Sequence, residues 1–141
     1  MYHARFKGSH YEAGYKYGKL LKEHGNIIKK CPTFEITEEL KAFAQKCLPV
    51  YRKYYPEIVQ EIQGMAEEQN SPLENIINIL FPMYCFKPQN HCTAFALSDG
   101  KNIFLGKNSD FLVSIEKLYQ NCLYNLNNSY AFNGNTTAFI Q

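Results

Sequence analysis

The chain has 141 residues, 45% of them hydrophobic and 20% charged, with a formal net charge of +2 at pH 7. That is the length of one domain, enough to bury roughly two thirds of the unfolded surface. Near-neutral charge with Lys and Glu interleaved excludes a basic nucleic-acid or anionic-membrane surface, and no apolar run reaches the ~18 residues of a membrane span.

The N-terminus, Met1 to Gly8, lacks the apolar core of a secretory signal. Five cysteines, Cys31, Cys47, Cys85, Cys92 and Cys122, are an odd number without C-x-x-C spacing. Neither a disulfide framework nor a structural zinc site fits that pattern. A reduced, cytoplasmic protein is expected, with no metal and no cofactor. The four histidines show no catalytic spacing.

The first 80-odd residues read as helices. Ser9-His10-Tyr11-Glu12 has the S-x-x-E pattern of a capping box and opens a helix to about His24, with Gly25 as its stop. Gly14 and Gly18 lie on one face of it, each costing about 1 kcal/mol against Ala, which points to close approach of another backbone. Thr37 is an N-cap for a helix to about Tyr54, kinked or interrupted at Pro49. Pro56 opens a third helix with an apolar face of Ile58, Ile62, Met65 and Ala66. Ser71-Pro72-Leu73-Glu74 predicts a second capping box and a helix ending near Pro82.

From Phe86 the pattern changes. Two apolar runs flank Asp99-Gly100, the strongest short-range hairpin signal. A two-residue loop there pairs Cys92 with Lys107, roughly 5 Å apart at Cβ. A thiol beside an ammonium has its pKa lowered, and the thiolate is the nucleophile. Asp110 follows just past the partner strand. Apolar side chains on both faces predict a hairpin buried on both sides. Residues 114–126 are ambiguous between helix and strand, 127–129 form a turn, Asn133-Gly134 is a second hairpin signal, and the chain stops inside a predicted strand at 136–141.

These residues resemble a known family. Gly8 to Gly14 with Gly18 is similar to its opening G-x-x-Y/F-E-x-G-x-x-x-G. Tyr55-Pro56 with Glu61 to Ala66 is similar to Y/W-P-x(4)-E-I-x-G-x-A. Cys92-Thr93 and Gly106 to Phe111 are similar to C-T/S and G-x-N-x-D-F/W, with Asp110 falling 18 residues after Cys92. The family is that of acyl-coenzyme A:6-aminopenicillanic acid acyltransferase, related to choloylglycine hydrolase and penicillin V acylase among the N-terminal nucleophile (Ntn) hydrolases.

The resemblance implies an α+β fold: an N-terminal helical segment, then antiparallel strands, as the front portion of an αββα sandwich truncated at its C-terminus. It implies self-cleavage between His91 and Cys92, dividing one structural domain into a pro-segment or small subunit, 1–91, and a nucleophile-bearing region, 92–141. Cys92 then serves as nucleophile through its thiol and as base through its freed α-amine, Asp110 orients that amine, and Lys107 helps to polarise the site. His91 stands where the acyltransferases carry Gly, and Lys107 where the bile-salt and penicillin V branch carries Arg.

The expected function is hydrolysis or transfer of an acyl group at a linear amide through a thioester acyl-enzyme. The substrate is a small-molecule acyl amide or thioester, with no nucleic-acid or membrane partner. The alternative is a truncated, non-catalytic fragment, an interaction module or half of a complex, prone to self-association through its unpaired C-terminal strand.

Overall fold

The computed structural model describes residues 2–25, 35–82, 92–109 and 119–137. They form a mixed α+β protein with four helices and two small sheets. The order is β1 (Tyr2–Gly8), α1 (His10–Glu23), α2 (Glu38–Tyr54), α3 (Pro56–Glu68), α4 (Leu73–Leu80), β2 (Cys92–Ser98), β3 (Ile103–Ser109), β4 (Tyr119–Leu126) and β5 (Phe132–Thr137).

The opening residues are a strand, where helices alone were expected before the hairpin. His3, Arg5 and Lys7 are exposed while Ala4 and Phe6 are buried, the period-2 alternation of a half-buried strand. Five alternating residues beside a terminus are too short a run to identify without the partner strand. That partner is β4, paired in parallel from Tyr2↔Gln120 to Gly8↔Leu126; β5 then pairs antiparallel with β4. The ambiguous stretch thus resolves in part as strand. Asn133 and Gly134 lie within β5, opposite Leu123 and Cys122, and make no hairpin turn, while the reversal at 127–131 contains the turn expected at 127–129. Asn128 there takes a left-handed φ of 58°, which Asn tolerates better than most residues.

Phe6, Tyr124 and Phe132 stand in register across the three strands. Tyr124 stacks on Phe132 at 4.6 Å between centroids and meets Phe6 at 4.7 Å. With Ala4, Cys122 and Leu126, Phe6 closes over Ala13 and Leu20 of α1 in one core. A second core, between helices, gathers Leu21, Ala44, Ile62, Met65, Ala66, Ile76, Ile77 and Ile79. Tyr17 packs against both, so α1 is the shared wall between sheet and helices.

Helix α1 begins as its capping box predicts: Glu12 N–H donates to Ser9 Oγ (3.2 Å), and Ser9 N–H donates to Glu12 Oε2 (2.7 Å). Thr37 Oγ1 likewise caps α2 by accepting from Leu40 N–H (3.3 Å). Pro49 lies inside α2, which runs through it to Tyr54. The second capping box does not form. Pro72 is the N-cap of α4 without a side-chain bond, and among the described residues Ser71 Oγ is buried with no partner. The serine is one position too early: its own N–H is taken by the Ala66 carbonyl (2.9 Å), closing the end of α3.

The glycines act as the spacing implies. A Cβ on Gly14 would overlap the Glu61 carbonyl of α3, one on Gly64 would overlap the Tyr11 carbonyl of α1, and one on Gly18 would come within 2.9 Å of the Met65 carbonyl. The two helices therefore touch backbone to backbone, and Gln69 Nε2 locks the far end by donating to the Gly18 carbonyl (2.9 Å).

Gly14→Ala is expected to destabilise the fold by about 3 kcal/mol or more, because neither backbone can yield without moving a helix; chemical denaturation measures it, and a loss no larger than that of an exposed Gly→Ala change would contradict the close approach. Ser9→Ala should cost about 1 kcal/mol as a lost cap. Ser71→Ala, by contrast, should be neutral or stabilising, since it removes an unsatisfied hydroxyl; the two thermal midpoints shift in opposite senses or only the first falls.

Candidate functional site

The hairpin carrying the predicted nucleophile forms, with Cys92 opening β2 and β3 returning antiparallel to Ser109. Its register differs from the two-residue loop. Cys92 pairs with Ser109 and Thr93 with Asn108, while Lys107 pairs with Ala94. The Asp99 side chain is the reason. Its Oδ1 accepts from the backbone N–H groups of Lys101 (2.8 Å) and Asn102 (2.7 Å), and Oδ2 from Asn102 Nδ2 (3.0 Å). Asp99 keeps a negative φ, leaving only Gly100 left-handed at 87°, so the loop is four residues, 99–102. An Asx turn replaces the tight turn that Asp-Gly usually signals. These donors hold the Asp99 carboxyl down to about 2.

The shift is two residues, so the parity of the faces survives. Ala94, Ala96, Ile103 and Leu105 share one face, and Phe95, Leu97 and Phe104 the other. Burial was expected on both and occurs on neither: Ile103 is 82% exposed, Leu105 74% and Phe95 64%. The three-stranded sheet and α1 cover each other, whereas among the described residues β2 and β3 pair only with one another. A two-stranded ribbon has no layer of its own to bury its faces. Gly106 belongs to the pairing, since the Phe95 ring lies where its Cβ would be.

Among the predicted site residues, Cys92 is therefore the first residue of β2, and Lys107 is an exposed residue of β3 opposite Ala94. Cys92 and Lys107 are diagonal positions on the ladder, not the directly opposed partners expected from a two-residue loop. His91 and Asp110 lie outside the described residues. Cys122 is a different thiol: buried beneath the sheet, its pKa is pushed up to about 11 by desolvation.

One array had no counterpart in the sequence reading. His10, at the start of α1, sits between Glu61 of α3 and Ser129 of the β4–β5 turn. Its Nδ1 is 2.6 Å from Glu61 Oε1 and its Nε2 is 2.8 Å from Ser129 Oγ. The partners are 51 and 119 residues away in sequence, and no local motif joins them. Burial raises the Glu61 pKa, and the bond from His10 partly opposes that rise. Among the described residues no three His, Cys, Asp or Glu side chains converge as a metal site, and no helix is long and apolar enough to cross a membrane.

Comparison of the sequence with family models and with curated proteins returns no match.

Because the Asp99 pKa is depressed, its contribution to the loop is complete above the ordinary aspartate value of 3.8 and is lost as pH falls through about 2. The amide resonances of Lys101 and Asn102 are expected to hold steady from neutral pH to about 3 and then shift together with a midpoint near 2. A midpoint at the ordinary value would rule out the Asx turn.

Proposed function

We propose that the chain belongs to a cysteine Ntn-type amide hydrolase or acyltransferase of αββα architecture, cut by its own thiol between His91 and Cys92. The hairpin is the observation that supports this reading. Cys92 opens β2, its ladder partner is Ser109, and the chain arrives at Asp110 in the next residue. Antiparallel partners lie about 5 Å apart. Ser109, the residue before Asp110 in sequence, thus stands nearer Cys92 than a Cys92–Lys107 pairing would bring it.

The chemistry follows from that juxtaposition. The α-amine of Cys92, with an ordinary pKa near 8, takes the thiol proton as sulfur attacks the carbonyl carbon of an acyl amide. The tetrahedral intermediate collapses, the leaving amine departs with that proton, and the acyl group remains as a thioester on Cys92. Water gives a proton to the same α-amine as its oxygen attacks the thioester carbon, the carbon–sulfur bond breaks to release the acid, and the proton returns to the Cys92 sulfur; an acceptor amine in place of water makes the reaction a transfer. Asp110 orients the α-amine by accepting its hydrogen bond. Lys107, at the exposed rim, adds a positive charge to the approach. A thioester substrate follows the same course with a thiol as leaving group.

A second reading is favoured by the exposed apolar faces of the hairpin. In it the chain is non-catalytic, and those faces pack against another polypeptide.

Intact mass and alkylation separate the two. Self-cleavage should yield two fragments dividing at His91–Cys92, and Cys92→Ala should remain one chain. In the native protein near neutral pH, iodoacetamide should modify Cys92 and leave Cys122 untouched, as its pKa of about 11 requires. A single uncut wild-type chain whose Cys92 does not react would eliminate the hydrolase in favour of the second reading.

A further inference from the structure

The array around His10 has the connectivity of an acyl-transfer relay. It joins a hydroxyl, an imidazole and a carboxyl through opposite ring nitrogens, at 2.8 Å and 2.6 Å. An ionised Glu61 can only accept, so it fixes the proton on Nδ1 and leaves Nε2 free to accept from Ser129 Oγ–H. The imidazole is held firmly, with side-chain exposures of 15% for His10 and 26% for Glu61. Ser129 is exposed on its turn, where a substrate can reach it.

Beside the array lies a cleft of about 360 Å³, bordered by His10, Ser9, Glu57, Gln60, Asn127 and Asn128. Gln60, Asn127 and Asn128 carry primary amides, whose N–H groups are suited to a carbonyl oxygen that gains negative charge. The Ser9 hydroxyl is already committed to Glu12. Glu57 and Glu61 disfavour an anionic substrate there. The volume admits a small acyl group.

We propose that Ser129, His10 and Glu61 form a serine esterase site, separate from Cys92, that hydrolyses small esters with neutral or cationic acyl groups. Ser129 Oγ bonds to the ester carbonyl carbon as its proton passes to His10 Nε2. The intermediate expels the alcohol, which carries that proton away, and the acyl group stays on Ser129. Water gives a proton to Nε2 as its oxygen attacks the acyl-serine. That proton then returns to Ser129 Oγ, and the carboxylic acid leaves. Glu61 holds the ring and stabilises its protonated form without taking the proton.

The array was invisible in the sequence because its members meet only when three elements pack. His10 comes from the first turn of α1, Glu61 from the face of α3 that α1 covers, and Ser129 from the turn that follows β4. Ser129, His10 and Glu61 need neither self-cleavage nor the Cys92 thiol to act.

A fluorophosphonate probe and p-nitrophenyl acetate test it, both in the Cys92→Ala background so that thiol chemistry contributes nothing. Peptide mapping should find the phosphonyl adduct on Ser129, and Ser129→Ala should lose it. Ester hydrolysis should fall about 100-fold in both Ser129→Ala and His10→Asn. Ser129→Cys should recover a burst of acylation, a signature that a merely structural hydrogen bond would not give. Far-UV circular dichroism verifies that each variant is folded, and the exposed turn at Ser129 tolerates substitution. Failure to label Ser129 in the folded protein, an adduct confined to another residue, or an undiminished rate in Ser129→Ala would overturn the proposal.

Discussion

The contact of α1 with α3 through bare backbone is the constraint on which the rest of the structure depends. At Gly14 and Gly64 each helix presses a Cα against a carbonyl of the other, and no side chain fits between them. Interiors are close-packed and deform little, so such a contact fixes register and rotation together. With α1 set against α3, Leu21 meets Ile62, Met65 and Ala66 on one side, and Ala13 meets Phe6 on the other. His10, one turn before Gly14, then falls beside Glu61 without further adjustment.

Sheet and helices are consequently not independent layers. The parallel pairing of β1 with β4 joins the first residues of the chain to residues beyond 118, and Asn127 N–H closes on the Gly8 carbonyl at 2.8 Å, immediately before α1 begins. The same turn brings Ser129 to His10. Every part of this unit is cross-braced by groups distant in sequence. The hairpin β2–β3 is braced by its own ladder and by the Asp99 loop. That contrast explains its exposed Phe, Leu and Ile side chains: strand pairing satisfies backbone groups, but apolar burial needs a second surface.

The elements that local chemistry dictates were legible in advance. Ser9 with Glu12, Thr37 and Pro56 each announce a helix start through groups three or fewer residues apart, and the structure bears out all three. The Gly14–Gly18 spacing announced close approach of another backbone without saying which element supplies it. Ser71 misled because a capping box requires Ser at the N-cap itself, and Pro72 occupies it. Asp99-Gly100 gave the right hairpin and the wrong loop, since Asn102 competes for the Asp99 carboxylate and extends the turn by two residues. Strand β1 escaped because its alternation is brief and its partner lies more than a hundred residues away.

Helix boundaries, the existence of the hairpin and the parity of its faces are written in residue order, because each depends on dihedral preference or on side chains one turn apart. Which helix Gly14 touches, which strand accepts β1, and that His10 bridges Glu61 and Ser129 are not written there. Those depend on contacts between elements far apart in the chain, and such contacts exist only after burial of two cores has brought the elements together. Exposure of the hairpin belongs to the same class: alternation tells which side chains share a face, while the presence of a covering layer is a property of the assembled fold.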